Sequence, residues 1–130
     1  MLLNSFRSVT QGIHIEVVPF YRADESDIIK LQFVYAYYVN IKNESAQDVQ
    51  LLDRYWEIKD GVGNLKVVEG AGVIGKQPII KMDEMYSYNS FAILKTMTGS
   101  MKGYYTMLNE EDEKIIVRIP EFRLQSIQVN

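Results

Sequence analysis

"LQFVYAYYVNIK", Leu31 to Lys42, decides the fold class. Its odd positions, Leu31, Phe33, Tyr35, Tyr37, Val39 and Ile41, are all apolar or aromatic, while Gln32, Asn40 and Lys42 are polar even positions. A period of two belongs to a β-strand, whose successive side chains point to opposite faces. Val34, Ala36 and Tyr38 between them predict a second face that is partly covered as well. The stretch therefore reads as a long strand with one fully buried face.

Working outward, Ile13, Ile15 and Val17 alternate with His14 and Glu16, giving a first strand from Ile13 to Tyr21. Pro19 inside it predicts an edge strand or a bulge, because proline cannot donate to a ladder. Further strands read from Gln47 to Ile58, Lys66 to Glu69, Met85 to Leu94, Tyr104 to Leu108 and Lys114 to Ile119. The segments "ADESD", "KNES", "KDGVGN", "KMDE", "MTGS" and "NEEDE" between them carry turn chemistry, with Gly63-Asn64 suited to a hairpin. No amphipathic helix, repeat or low-complexity segment breaks the series. About seven short strands predict an all-β chain folded as a β-sandwich, with a barrel as the alternative. The chain reads as one domain over residues 1–130, its core at residues 9–125.

Composition excludes several classes. Apolar residues at 47% and charged residues at 24% mark a globular chain rather than a disordered one. Without cysteine there is neither a disulfide framework nor a thiolate metal site, which fits a reducing compartment and a cytoplasmic domain. "MLLNSFRSVTQG" lacks the basic and long apolar regions of a signal peptide, and no stretch approaches the ~20 apolar residues of a membrane span. Net charge is −3 and no basic run occurs, so neither nucleic acid nor an anionic membrane is expected as a partner.

One motif calls for chemistry. "EGAGVIGKQP" places Gly70, Gly72 and Gly75 in the G-x-G-x-x-G spacing, and Gly70, Gly75 and Lys76 nearly complete a phosphate loop, with Gln77 where its hydroxyl should stand. A dinucleotide fingerprint needs a helix after the glycines, so that helix N-terminal amides face the pyrophosphate. "KQPIIKMDE" begins no such helix, and Gln77 removes the magnesium-binding hydroxyl. Two readings stay open. The amides of the Gly70–Gly75 loop could form a nest for an anion, with Lys76 and Arg54 supplying charge. Otherwise the glycines permit positive φ or a bulge where the chain turns between sheets.

Read with their neighbours, these residues resemble the ApaG family. The likeness runs collinearly through "VTQGIHIEV", "LLDRYW", "GAGVIGKQP", "YSYNS", "TGSMKGYY" and "IPEFRL". It implies an immunoglobulin- or fibronectin-III-like β-sandwich. The family's name is attached to cobalt resistance and magnesium efflux, its glycine motif has been proposed to bind pyrophosphate or nucleotides, and no enzymatic activity comes with the resemblance. Similar domains in eukaryotic F-box proteins and a polymerase-interacting protein look like binding modules. This chain departs from the family pattern at Tyr55, where histidine is usual, and in Tyr88-Asn89-Ser90-Phe91, where tyrosine, threonine, serine and glycine are usual, so that Asn89 and Phe91 differ. Ala71 and Lys76 stand at positions that are often acidic, which makes the glycine loop less negative.

Other candidates are weaker. His14 is the only histidine and shares the polar face with Glu16, so imidazole metal chemistry has no second ligand. The acidic runs Asp24-Glu25 and Glu110 to Glu113 suit solvated turns, and "GSMKG" around Ser100 is not a nucleophile elbow. Arg54 shares parity with Leu52, Trp56 and Ile58 and interrupts an apolar face. It is either a guanidinium paired with a carboxylate or stacked on a tyrosine, or part of an exposed binding face. The expectation is a non-catalytic module without metal or cofactor that binds another protein, with any link to cobalt or magnesium indirect. The alternative is a small-anion sensor for pyrophosphate or a nucleotide. An unpaired sandwich edge also offers a route to a homodimer.

Overall fold

A computed structural model describes residues 4–125. Met1 to Leu3, part of the N-terminal stretch "MLLNSFRSVTQG", and 126–130, the end of the expected domain, lie outside the described residues. The strands are β1 (Phe6–Thr10), β2 (Ile13–Tyr21), β3 (Phe33–Asn43), β4 (Val49–Asp60), β5 (Leu65–Ala71), β6 (Ile79–Ile80), β7 (Met85–Leu94), β8 (Thr98–Leu108) and β9 (Lys114–Gln125). Two antiparallel sheets form a sandwich, one ordered β1-β2-β3-β7 and the other β5-β4-β8-β9 with β6 also on β4.

The stretch that decides the fold class is the centre of the first sheet. From Phe33 onward its odd side chains are buried between the sheets, and Val34 and Ala36 are buried on the other face. Leu31 is the exception. Its amide closes a turn onto the Ile28 carbonyl at 3.1 Å, its φ is 53°, and its side chain is 55% exposed. The strand begins two residues later because the Asp27–Gln32 bridge turns the chain first.

The second sheet faces it with Trp56 of β4, Tyr105 of β8 and Phe122 of β9. Trp56 meets Tyr37 edge-on at 5.4 Å, Phe122 at 5.9 Å and Tyr105 at 6.5 Å between ring centroids, so one indole ties four strands across the gap. Aromatic pairs in such tilted arrangements add to the burial of their area.

Irregularities in the ladder explain where the sequence pattern misleads. β9 runs through Pro120 because its register slips by one residue there: Met101 faces Phe122 but Gly103 faces Ile119. A bulge absorbs the missing donor. Pro19 is accommodated differently. β1 pairs β2 only as far as Val17, so among the described residues no strand neighbours Pro19 on that side. Thr98, Gly99 and Ser100, expected in a turn, instead open β8, the turn falling at residues 95–97.

The two sides of the sandwich differ. Where β1 lies beside β9, the Ser8 hydroxyl donates to the Arg118 carbonyl at 2.7 Å, and the Arg118 amide donates to Thr10 Oγ1 at 3.1 Å. On the opposite side β7 and β5 are the last strands of their sheets. The sheet crossing that precedes β7 is anchored by Asn43, fully buried, whose Nδ2 donates to the carbonyls of Gln47 and Ile80 and whose Oδ1 accepts from Ser45.

Glu16 ties the N-terminal strand down. Its carboxylate accepts from Asn40 on β3, from Arg7 on β1 and from Ser5, and these bonds lower its pKa from 4.5 to about 2. A lowered pKa contributes stability that is present above the unfolded value and lost as pH falls through the folded one. The urea midpoint should therefore fall between pH 4.5 and 2. Glu16→Gln should be less stable than the native chain at neutral pH and should lose part of that slope.

Candidate functional site

Gly70, Gly72 and Gly75 do not form one loop. Gly70 lies inside β5, paired with Arg54, and β5 continues to Ala71. The chain then leaves β4 and returns at β6, where Val49 pairs with Ile80. β5 and β6 flank a detour over residues 72–78. Opposite it β4 bulges at Leu52, since Leu51 faces Met107 but Asp53 faces Thr106. The Leu52 carbonyl accepts from the Gly72 amide at 2.7 Å and from Gln77 Nε2 at 2.9 Å. Gln77, which breaks the phosphate-loop pattern, holds this bulge in place.

Within the detour Val73 and Lys76 exchange backbone hydrogen bonds at 2.8 and 3.0 Å, closing a two-residue hairpin. Ile74 and Gly75 at its tip have φ of 47° and 73°, as a type I′ turn requires. Gly72 is buried with φ 66°, and a Cβ there would stand 2.2 Å from the Lys76 carbonyl oxygen. The amides of Gly72, Val73 and Lys76 are thus donated within the protein. Gly72 and Gly75 turn the chain along one edge of β4; the crossing to the other sheet comes only at residues 81–84.

Arg54 points inward, on the same face as Trp56, but Leu52 does not share that face. Val49 and Leu51 are buried before the bulge and Trp56 after it, so the parity changes at Leu52. The guanidinium lies across Gly70, where a Cβ would come within 3.2 Å of Nη1. Nη1 donates to the carbonyls of Ala71 and Gly72 at 3.1 and 3.0 Å. None of the ion pairs among the described residues includes Arg54.

Sequence reasoning misses the groups around this cation. A cavity of 290 Å³ is lined by Arg54, Tyr37, Tyr88, Ser90 and the hairpin tip. Ser90 hydrogen-bonds the Tyr37 phenol, and Tyr88 and Tyr105 share a short hydroxyl–hydroxyl bond. Burial raises the pKa of all three phenols, so they are neutral hydrogen-bonding groups, and Arg54 opposes the rise at Tyr37 and Tyr88. The alternation in "YSYNS" puts Tyr86, Tyr88 and Ser90 on one face, but nothing in it names Arg54 as their neighbour. A larger cavity of 520 Å³ adjoins, sharing Tyr37, Arg54, Trp56 and Ser90, and opens between β7 and β5.

The remaining candidates lie elsewhere. Lys76 is exposed on the hairpin. His14 pairs with Glu44 at 3.2 Å on the surface. Among the described residues no three of His, Cys, Asp and Glu gather to hold a metal ion, and no helix is long and apolar enough to cross a membrane.

A family model described as the ApaG domain matches residues 23–109, which include Arg54, the glycine detour and β7. The chain belongs to the ApaG family. It is 43% identical over 119 residues to Protein ApaG of Mesorhizobium japonicum, covering 92% of each chain. It is 42% identical over 121 residues to Protein ApaG of Methylocella silvestris, covering 93% of each. A crystal structure of a Bordetella pertussis protein described as ApaA superposes with a TM-score of 0.87 at 34% identity, covering 90% of this chain and 95% of that one. The sandwich is thus the ApaG fold.

Ile74 is a β-branched residue in the left-handed region, at a cost of roughly 1–2 kcal/mol. Ile74→Asn gives the Asn-Gly pair that a type I′ turn prefers and should raise unfolding free energy by about 1 kcal/mol. Urea denaturation measures it; a loss instead would mean that the side chain contributes packing worth more than the strain.

Proposed function

We propose that this ApaG-family domain is a non-catalytic binding module that recognises another protein. One observation carries the reading. β7 is a ten-residue edge strand, "MYSYNSFAIL", with no charge, no proline and no register break along its pairing with β3. Natural edge strands are ordinarily protected by lysine, proline, bulges or a covering loop, because their unpaired backbone is a template for another strand. β5 at the other end of the opening carries Lys66 and Glu69. β7 also displays Phe91 and Ile93, 52% and 66% exposed, on its outer side. An unprotected edge next to exposed apolar side chains suits a protein interface.

The rival reading is a small-anion sensor for pyrophosphate or a nucleotide, acting through the segment from Gly70 to Gly75 with Lys76 and Arg54. In its favour, Arg54 lines a cavity with three hydroxyl-bearing side chains and has no carboxylate partner among the described residues. Against it, the amides of Gly72, Val73 and Lys76 are already donated within the hairpin. On the binding-module reading, a family connection with cobalt or magnesium handling is indirect, acting through the partner.

Two measurements separate the readings. A photo-crosslinking residue at Phe91 should capture specific proteins in cells of the source organism, while the same residue at Ile116, exposed on β9 of the other sheet, should not. Identical capture from both positions would sink the edge reading. In an NMR titration with pyrophosphate or ATP, the anion reading predicts shifts confined to residues 70–77, and the module reading predicts flat spectra at millimolar ligand.

A further inference from the structure

The open side of the sandwich has two components that together describe an occupant. The first is the free backbone edge of β7. The second is the trough beneath it, formed by the two adjoining cavities of 520 and 290 Å³. Trp56, Ile58, Val68 and Leu94 line the larger one, with Lys66 and Lys95 also in its wall. Both lysines are exposed and neither belongs to an ion pair among the described residues. Asp60 is the one carboxylate in the lining, and its oxygens already accept from the amides of Val62 and Asn64 and from Asn64 Nδ2. The smaller cavity shares Arg54, Tyr37 and Ser90 with the larger and adds Tyr88 and the hairpin tip.

From this we infer that the domain takes an extended peptide segment of another protein as an added strand on β7, with a carboxylate of that segment seated at Arg54. The inference rests on the binding-module reading and names its partner class. Strand addition supplies affinity through main-chain hydrogen bonds, and alternate side chains of the added strand drop into whatever lies beneath. Here alternate apolar side chains enter the trough over Trp56 and Ile58. The opposite set lies beside Phe91 and Ile93. The carboxylate, from an Asp or Glu side chain or a chain terminus, finds in Arg54 a cavity-lining guanidinium whose hydrogen bonds to carbonyls among the described residues are made by Nη1, leaving Nη2 and Nε to donate.

Charge decides between this occupant and a second copy of the chain. Two β7 strands paired about a two-fold axis would satisfy each other's backbone. However, "MYSYNSFAIL" contains no acidic residue, so self-pairing brings no carboxylate to Arg54 and sets two groups of lysines around one opening. An acid-bearing foreign segment satisfies both features. Ile74, strained at the hairpin tip and 61% exposed on the lip of the smaller cavity, is placed to touch it.

The test is selection of a displayed library of random dodecapeptides on the full chain, followed by resynthesis of the enriched sequences. Peptides that alternate β-branched or aromatic residues and carry an acidic group are expected. They should slow hydrogen exchange at β7 amides and weaken about tenfold or more on Arg54→Gln. Because Arg54 also holds the hairpin, Lys66→Glu with Lys95→Glu provides a second variant away from it, expected to weaken acidic peptides and relax the selection towards basic ones. Peptides that dock on β7 without an acidic group, and bind Arg54→Gln and the double variant equally, would overturn the inference and leave the strand-adding module intact. Absence of any enriched peptide, or docking away from β7, would overturn both. Concentration-dependent dimerisation abolished by Phe91→Lys would replace the foreign peptide with a second copy.

Discussion

The indole of Trp56, wedged edge-on against Tyr37 and Phe122, is the contact on which the arrangement depends. Packed sheets stand about 10 Å apart, and aromatic rings reaching in from both sheets bury a large area within that gap. Removing such a ring from a core costs about 3–5 kcal/mol. Its position also fixes the direction of its neighbours on the strand. With Trp56 inward, a residue two places earlier must also face inward, and that residue is Arg54. A cation is thereby carried to the mouth of an apolar core. It is tolerated there because Gly70 gives it room and two backbone carbonyls accept its protons.

The bulge at Leu52 is the second constraint. A strand with constant parity could not bury both Leu51 and Trp56 against the same sheet, since they stand an odd five positions apart. One extra residue reconciles the two, and its carbonyl, left out of the ladder, needs partners. Gly72 and Gln77 provide them. The glycine motif is therefore the counterpart of an irregularity in the neighbouring strand. That is why its spacing, taken by itself, imitates nucleotide-binding loops without their supporting helix.

The central strands are legible in the sequence because both of their faces are constrained. β3 announces itself through five apolar odd positions, Phe33 to Ile41, and the pattern places β7 at the residues it occupies. β1 escapes notice because "FRSVT" is half-exposed and sits beside β9 through hydroxyls that no hydropathy pattern encodes. β6 escapes it because two residues carry no period; it exists only because the detour returns there. Pro120 reads as a strand end, yet a bulge lets β9 continue for five more residues to Gln125. At the site, Arg54 and the glycines are recognisable as unusual. Their partners are not, because carbonyl acceptors and cross-sheet hydroxyls leave no mark in side-chain spacing.

The difference between the two sides of the sandwich has a mechanical meaning. Along β1 and β9 the sheets are laced at their edge by hydroxyl bonds, like pages sewn to a spine. β5 and β7 face each other as the last strands of their sheets, and the hydroxyl tie from β7, at Tyr88, lies inside the gap. Widening the gap at the spine breaks the Ser8 and Thr10 bonds, whereas β5 and β7 end their sheets at the fore-edge without pairing to each other. Parting the sheets at the fore-edge breaks a different tie, the hydroxyl bond between Tyr88 of β7 and Tyr105 of β8, so each side of the sandwich is held by hydroxyls of its own.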